Sequence, residues 1–164
     1  SKLVAIPGCS EHQLGLSVDL TSQNVLDGTY SLFGNTPEYQ WVINHTHEYG
    51  FILRYPKDKT NITGTANEPW HFRYVGYPHS KIITEQVFSL EEYAEFIKNY
   101  RDNSRLIFTA VCETEIEIYY VPANNNETTI NIEENYVNQI SGNNIDGFIV
   151  TVWRKNNEQE LYGH

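Results

Sequence analysis

The residues of this chain whose types and spacing could do chemistry lie in two short stretches. In GCSEHQLGLSVDL, residues 8–20, Ser10, His12 and Asp19 surround Gly15; in NEPWHFRYVG, residues 67–76, Glu68 and His71 stand three apart across Pro69. Two imidazoles and a carboxylate supply the three N/O ligands of a catalytic zinc site with an open fourth position, and a further unligated carboxylate is the base its water needs. In a straight strand, at about 3.3 Å per residue, His12 and Asp19 would lie roughly 23 Å apart on opposite faces. The chain must therefore bend between them, and Gly15 is the residue that permits a bend or bulge. Pro69 excludes a helix interior, so Glu68 is expected on a turn and His71 at the start of the strand that follows. The same residue types also serve as hydrogen-bonded structural histidines and as cap or turn carboxylates, and spacing alone leaves both readings open.

Elements that can position these residues are visible on either side. Residues 36–50 read as a helix: Thr36 caps, Pro37 occupies the first turn, Tyr39, Val42, Ile43 and Thr46 share a face, and Gly50 stops it. A second helix runs through SLEEYAEFIKNY, with an S-x-x-E capping box at Ser89 and Glu92 and an apolar stripe of Leu90, Tyr93, Ala94, Ile97 and Tyr100. GFILRY and HFRYVGY, bounded by Pro56, Gly64, Pro69 and Pro78, read as strands. Further strands are expected at RLIFTAV, at TEIEIYYV with Ile116, Ile118 and Tyr120 alternating against Glu115, Glu117 and Tyr119, at TTINI and at GFIVTVW, with turns at PANNNE and SGNNIDG. Residues 1–103 are thus read as the chemical core. Residues 104–164 are read as a β-rich extension of the same domain that extends or covers its sheet.

Composition narrows the function classes. With 164 residues, 40% apolar and 13% aromatic, the chain can bury one sizeable core. A formal net charge of -10, from 11 Lys and Arg against 21 Asp and Glu, argues against nucleic acid or an anionic membrane as partner. No apolar run approaches the roughly 20 residues of a membrane span. Ser1 to Gly8 carries no signal-peptide pattern, and the chain has no methionine, which reads as a mature or trimmed piece whose targeting segment lies elsewhere. Cys9 and Cys112 are too few for a disulfide framework and read as buried thiols; the C-x-x-H spacing from Cys9 to His12 has no second pair to support it. The N-x-T tripeptides at Asn44, Asn61 and Asn126 would matter only in a eukaryotic secreted protein.

SEHQLGLSVD resembles the S-x-H-x-x-G-x-x-x-D motif, and EPWHFRYVG the E-x-x-H motif, of the VanY and VanXY type D-Ala-D-Ala carboxypeptidases, zinc peptidases of the bacterial cell wall. EYGFILRYPKDKTNITG is similar to that family's connecting segment, so the resemblance runs from about residue 7 to residue 100. It implies that His12, Asp19 and His71 bind Zn2+ and that Glu68 is the general base. It also implies an α+β fold of the D-Ala-D-Ala carboxypeptidase/Hedgehog-like type, with helices packed on a mainly antiparallel sheet. By the same analogy Ser10 contacts the substrate peptide, its alternative being a plain turn residue, and Trp70 walls the pocket for the D-Ala side chain, its alternative being a core aromatic. His45, His47 and His79 match no ligand position and are read as surface or helix residues.

The implied substrate is the D-Ala-D-Ala dipeptide or the D-Ala-D-Ala end of a peptidoglycan stem peptide, with a link to vancomycin-type resistance. An L,D-carboxypeptidase or endolysin peptidase with the same site, and a catalytically weak zinc-binding module, are the alternatives. Family members also carry an upstream S-G-Y-R-S-like stretch whose arginine holds the substrate and the developing oxyanion, and the 164 residues contain no such stretch. An upstream fragment or a second chain is therefore expected to complete the site, since losing one such donor costs on the order of 100- to 1000-fold in rate. Arg54 and Arg73 are the arginines near the motifs. A bacterial origin is implied, with cell envelope and cytoplasm both open, as is the oligomeric state.

Overall fold

The computed structural model describes residues 8, 10–111 and 113–154. Glu11–Leu14 wind into a 3-10 turn that Gly15 terminates in the left-handed region at φ 69°. There its N–H donates to the His12 carbonyl at 3.0 Å, a conformation glycine adopts without steric cost. Strand β1, Ser17–Asp19, begins two residues later. The bend expected at Gly15 is present, with one correction: a helical turn ahead of the glycine makes it, so His12 sits in a turn rather than in a bulged strand.

β1 forms the edge of a three-stranded antiparallel sheet. Strand β2, Phe51–Leu53, forms the other edge, and β3, His71–Tyr74, lies between them. The central strand is the one whose His71, Phe72 and Arg73 are all buried, as a strand covered on both faces must be. Its register places Asp19 opposite His71 and Ser17 opposite Arg73 on one side, and Leu53 opposite Phe72 on the other.

The expected helix over 36–50 divides in two. Helix α2, Pro37–His45, is preceded by the short α1, Gln23–Leu26, and gives way to a 3-10 turn over Thr46–Tyr49 that Gly50 ends at φ 82°. A side chain at Gly50 would also meet Tyr74 Cε2 at 2.6 Å, so glycine is required there twice over. Thr36 stands in the capping position, but its hydroxyl donates to the Phe33 carbonyl at 2.8 Å and makes no side-chain cap bond. After the single turn α3, Thr60–Thr63, comes a helix the sequence reading omitted: α4, His79–Glu85, which packs against β2 and buries Ile82 and Ile83. Seven residues are too few to show a period. Helix α5, Leu90–Ile97, carries the capping box as expected, with Ser89 N–H donating to Glu92 Oε2 at 2.7 Å and Glu92 N–H to Ser89 Oγ at 3.2 Å; Tyr100 falls beyond its end.

The chain divides into two compact units between Tyr93 and Ala94, inside α5. The second holds strands β4, Leu106–Thr109, β5, Glu115–Pro122, β6, Val137–Gly142, and β7, Gly147–Trp153. These form a second antiparallel sheet in the order β4-β5-β7-β6, not hydrogen-bonded to the first, so of the two expected roles strand-pairing extension of the first sheet is not the one observed. TTINI, residues 128–132, is not a strand despite its β-branched residues, which illustrates how far strand propensity depends on context. The strand is instead β6, whose register against β7 is set by the loop between them: Asn143 Oδ1 accepts the N–H groups of Ile145, Asp146 and Gly147, each at 3.0 Å. Tyr119, expected on the polar face of β5, is buried with Val150 and Val152 under Val121, Ile130 and Tyr136, so both faces of the strand are covered. Among the described residues no helix is long and apolar enough to cross a membrane. Cys9 and Cys112 lie outside the described residues.

Glu117, facing that second cluster, is neutralised rather than exposed. Arg105 donates to it at 2.6 Å and Arg154 at 2.8 Å, and both arginines also bind Glu133. The Arg154 and Arg105 hydrogen bonds hold Glu133 down to about 2 and outweigh burial to hold Glu117 below its ordinary value. A carboxylate with a depressed folded pKa contributes stability above its unfolded value, near 4.5, and loses it as pH falls through the folded value, near 2. Chemical denaturation across that window should show a fall in stability towards acid that is shallower in Glu117→Gln and Glu133→Gln than in the wild type. Equal acid slopes would show that the pairs do not couple to folding.

Candidate metal centre

The site is assembled by strand pairing and one turn. Asp19, the last residue of β1, and His71, the first of β3, are direct cross-strand partners. Neighbours of this kind point to the same face of the sheet. Asp19 Oδ1 lies 3.2 Å from His71 Nδ1. The 3-10 turn brings His12 to the same point: its Nε2 is 3.4 Å from Asp19 Oδ1, and its ring stands edge-on to that of His71 with centroids 4.7 Å apart. One ligand atom from each of His12, Asp19 and His71 lies within 4.8 Å of the other two. Tetrahedral zinc with N and O ligands near 2.0–2.2 Å requires donor separations of about 3.3 Å, so this donor set fits such an ion. The group is closed on one side and open on the other: the His71 side chain is 6% exposed, against 39% for His12 and 52% for Asp19.

Glu68 borders the group without joining it. Its N–H donates to the Tyr55 carbonyl at 3.1 Å, and its carbonyl accepts the His71 N–H at 3.1 Å, closing the turn that Pro69 and Trp70 make into β3. This places Glu68 Oε2 3.5 Å from His71 Nδ1. The carboxyl is buried, and burial pushes its pKa up, with His71 opposing and Asp19 reinforcing the shift. The expected placement of Glu68 on a turn and His71 at a strand start is what the structure has.

The far side of His71 was not anticipated. His71 Nε2 lies 2.8 Å from Glu11 Oε1, which also accepts the Ser17 hydroxyl at 2.8 Å. Glu11 Oε2 accepts from Arg54 Nε at 3.2 Å and from Arg73 Nη1 at 2.9 Å, and Arg54 extends to Glu91 of α5 through two bonds of 3.1 and 2.7 Å. Burial works against the Glu11 charge, yet the His71 and Ser17 hydrogen bonds and the two guanidinium charges outweigh it and bring its pKa down to about 2. Glu11 adjoins a candidate ligand and carries no signal of its own; its place became legible only once Ser17 was found opposite Arg73.

The family model described as VanY, D-alanyl-D-alanine carboxypeptidase, matches residues 1–77. Residues 1–77 are thus similar to the VanY family. A D-alanyl-D-alanine carboxypeptidase of Enterococcus faecium is 46% identical over 150 residues, covering 91% of this chain and 46% of that protein. The solved structure of the vancomycin-resistance D,D-dipeptidase VanXYg, in complex with a D-Ala-D-Ala phosphinate analogue, is 49% identical with a TM-score of 0.80, over 92% of this chain and 61% of that one. The LD-carboxypeptidase LdcB is 45% identical with a TM-score of 0.51, over 57% of this chain and 44% of that one. The chain thus spans 46% of the first relative and 61% of the VanXYg chain. Likeness over nine-tenths of this chain also takes in the second unit, past the point at residue 100 where the motif resemblance stops.

The remaining candidate residues fall as follows. Ser10 is half-buried at the head of the 3-10 turn, where its carbonyl accepts the Gln13 N–H at 3.2 Å and its side chain makes no cap bond. Trp70 is half-buried in the turn before β3, and its carbonyl accepts the Leu20 N–H at 2.8 Å, tying the two motif segments together. His45 ends α2 and stacks on Trp41. His47 and His79 are helix residues as expected but not surface ones: His47 accepts a hydrogen bond from Lys81 at 3.5 Å, and burial drives His79, 2.6 Å from the Tyr93 hydroxyl, down to about 4. None of the three enters the metal group.

Arg73→Ala should destabilise the metal-free chain by about 2 kcal/mol, because it takes a charged hydrogen-bond partner from the half-buried Glu11 carboxylate. Denaturation with urea measures this, and an unchanged midpoint would mean that Arg54, Ser17 and His71 suffice to hold Glu11.

Proposed function

We propose that the chain is the zinc-binding part of a D,D-peptidase acting on D-Ala-D-Ala dipeptide or on the D-Ala-D-Ala ends of peptidoglycan stem peptides. The observation that carries this is the convergence of His12, Asp19 and His71, open on one side, with Glu68 beside His71 Nδ1. The reading is supported by the D-alanyl-D-alanine carboxypeptidase and VanXYg relatives. His12, Asp19 and His71 would hold the ion. Bound there, zinc would polarise the scissile carbonyl and acidify the attacking water. Glu68 Oε2 would accept the proton of that water and return it to the leaving D-Ala amine. Ser10 would contact the substrate peptide, and Trp70 would wall the side of the pocket that takes the D-Ala methyl. Arg54 and Arg73 are engaged with Glu11, and Arg54 with Glu91 as well, so the guanidinium for the substrate's carboxylate or oxyanion would come from an upstream segment or a second chain. The likeness to LdcB favours, as a second reading, removal of a D-residue from an L,D bond by the same groups.

Hydrolysis of D-Ala-D-Ala, of a pentapeptide ending in D-Ala-D-Ala and of an L,D-linked tetrapeptide, with zinc content measured alongside, separates these readings. His71→Ala should lose stoichiometric zinc; zinc retained by both His12→Ala and His71→Ala would sink the ligand assignment. Glu68→Ala should keep zinc and fold while kcat falls about 100-fold or more, in the range of a lost acid/base group. Loss of zinc from that variant would make Glu68 a ligand instead. Adding the family's upstream arginine segment to the 164 residues, in the same chain or as a second one, should raise turnover; equal rates with and without it would show the arginine to be dispensable.

A further inference from the structure

We infer that Glu11 is a positioning residue, which holds the proton of His71 on Nε2 and leaves Nδ1 as the ligand atom. The inference rests on the metal site proposed above and concerns how that site is set. An ionised carboxylate only accepts hydrogen bonds, and its two oxygens offer about four lone-pair positions. All four are taken, by His71 and Ser17 at Oε1 and by Arg54 and Arg73 at Oε2. The two guanidinium groups keep the carboxylate from turning, so Oε1 faces His71 Nε2 in one orientation.

The opposite nitrogen, Nδ1, faces Asp19 Oδ1 at 3.2 Å and Glu68 Oε2 at 3.5 Å, which is the side where the three donors converge. The backbone of His71 is fixed at both ends, its N–H on the Glu68 carbonyl and its C=O on the Arg54 N–H. The ring retains rotation about its own bonds, and the Glu11 bond removes it. A ligating histidine whose second nitrogen donates to a carboxylate is held in one tautomer and made a stronger ligand, and losing that partner costs about 10- to 100-fold in metal affinity. The chain places this group at the residue before His12, so one 3-10 turn delivers a ligand on one side of the site and the anchor of another ligand on the other.

The test uses the full chain labelled with 15N in its histidines. In the metal-free wild type, above the histidine titration range, His71 should show the Nε2–H tautomer. Glu11→Gln, which must turn an amide N–H group towards one pair of donors, should give a mixture of tautomers. Its zinc affinity, measured by competition with a chromophoric chelator, should be about 10- to 100-fold weaker. A structural role alone would shift unfolding without moving the tautomer. A wild-type His71 protonated on Nδ1 overturns the inference, and this readout stands even if Glu11→Gln does not fold. Retention of both the Nε2–H tautomer and wild-type zinc affinity in a folded Glu11→Gln overturns it too. A wild type with the Nε2–H tautomer that takes up no zinc overturns the proposed function and leaves the bond from His71 to Glu11 standing.

Discussion

The pairing of β1 with β3 is the constraint on which everything at this site depends. Side chains in a strand alternate between faces with a period of two, so a slip of one residue in this register would carry Asp19 away from His71 and Ser17 away from Arg73 together. Three-residue strands have few ladder bonds with which to resist such a slip. The register is reinforced from outside the ladder, by the Leu20 N–H on the Trp70 carbonyl at one end and the Tyr74 N–H on the Leu16 carbonyl at the other. Ser17 and Arg73 add a third lock, because both bind Glu11 and can do so only when they lie side by side.

His71 stands between two glutamates whose environments push them in opposite directions. Glu11 shares the burial that would neutralise a carboxyl, but it meets two guanidinium groups, a hydroxyl and the imidazole, and stays charged. Glu68 is buried with only His71 and His12 to offset the loss of water and with Asp19 nearby, so its proton is held more firmly. Separating two carboxyl groups by environment in this way is how one fold assigns them different work: Glu11 is suited to fix a ring and Glu68 to exchange a proton. Arg54 ties this arrangement to the first turn of α5 through Glu91, while Lys59 holds the neighbouring Glu92 of the capping box at 2.9 Å. The helix start and the site anchor thus draw on the same small set of ion pairs.

What was legible in the sequence was what depends on single residues with special backbone or chemical demands. Gly15 announced a bend, Pro69 a turn, and Ser89 with Glu92 a helix start, and each is found where it was read; the four polar residues of the two motifs come together, with His12 in a turn rather than a strand. What depends on partners was not legible. Glu11 reads as an ordinary acid until β1 and β3 are paired, α4 is too short to show a period, and TTINI has strand composition but no strand beside it. β6 is the converse: only Val137 and Ile140 are apolar and both are exposed, so its strand character comes from β7 and from the Asn143 loop.

The commitment of Arg54 and Arg73 bears on how a peptidase of this kind would divide its labour. Arg73 is buried and Arg54 half-buried, and both serve a carboxylate of the protein that faces His71. Freeing either would leave the half-buried Glu11 short of a charged partner, a costly way to break such a pair. Under the proposed function, the positive charge that a peptide's C-terminal carboxylate requires would then come from a group outside this sheet. On the proposed function, orientation of the metal ligands and recognition of the substrate's charge would fall to different parts of the protein, and recognition could change from D,D to L,D peptides while the three-stranded sheet, its register and its Glu11 anchor stay the same.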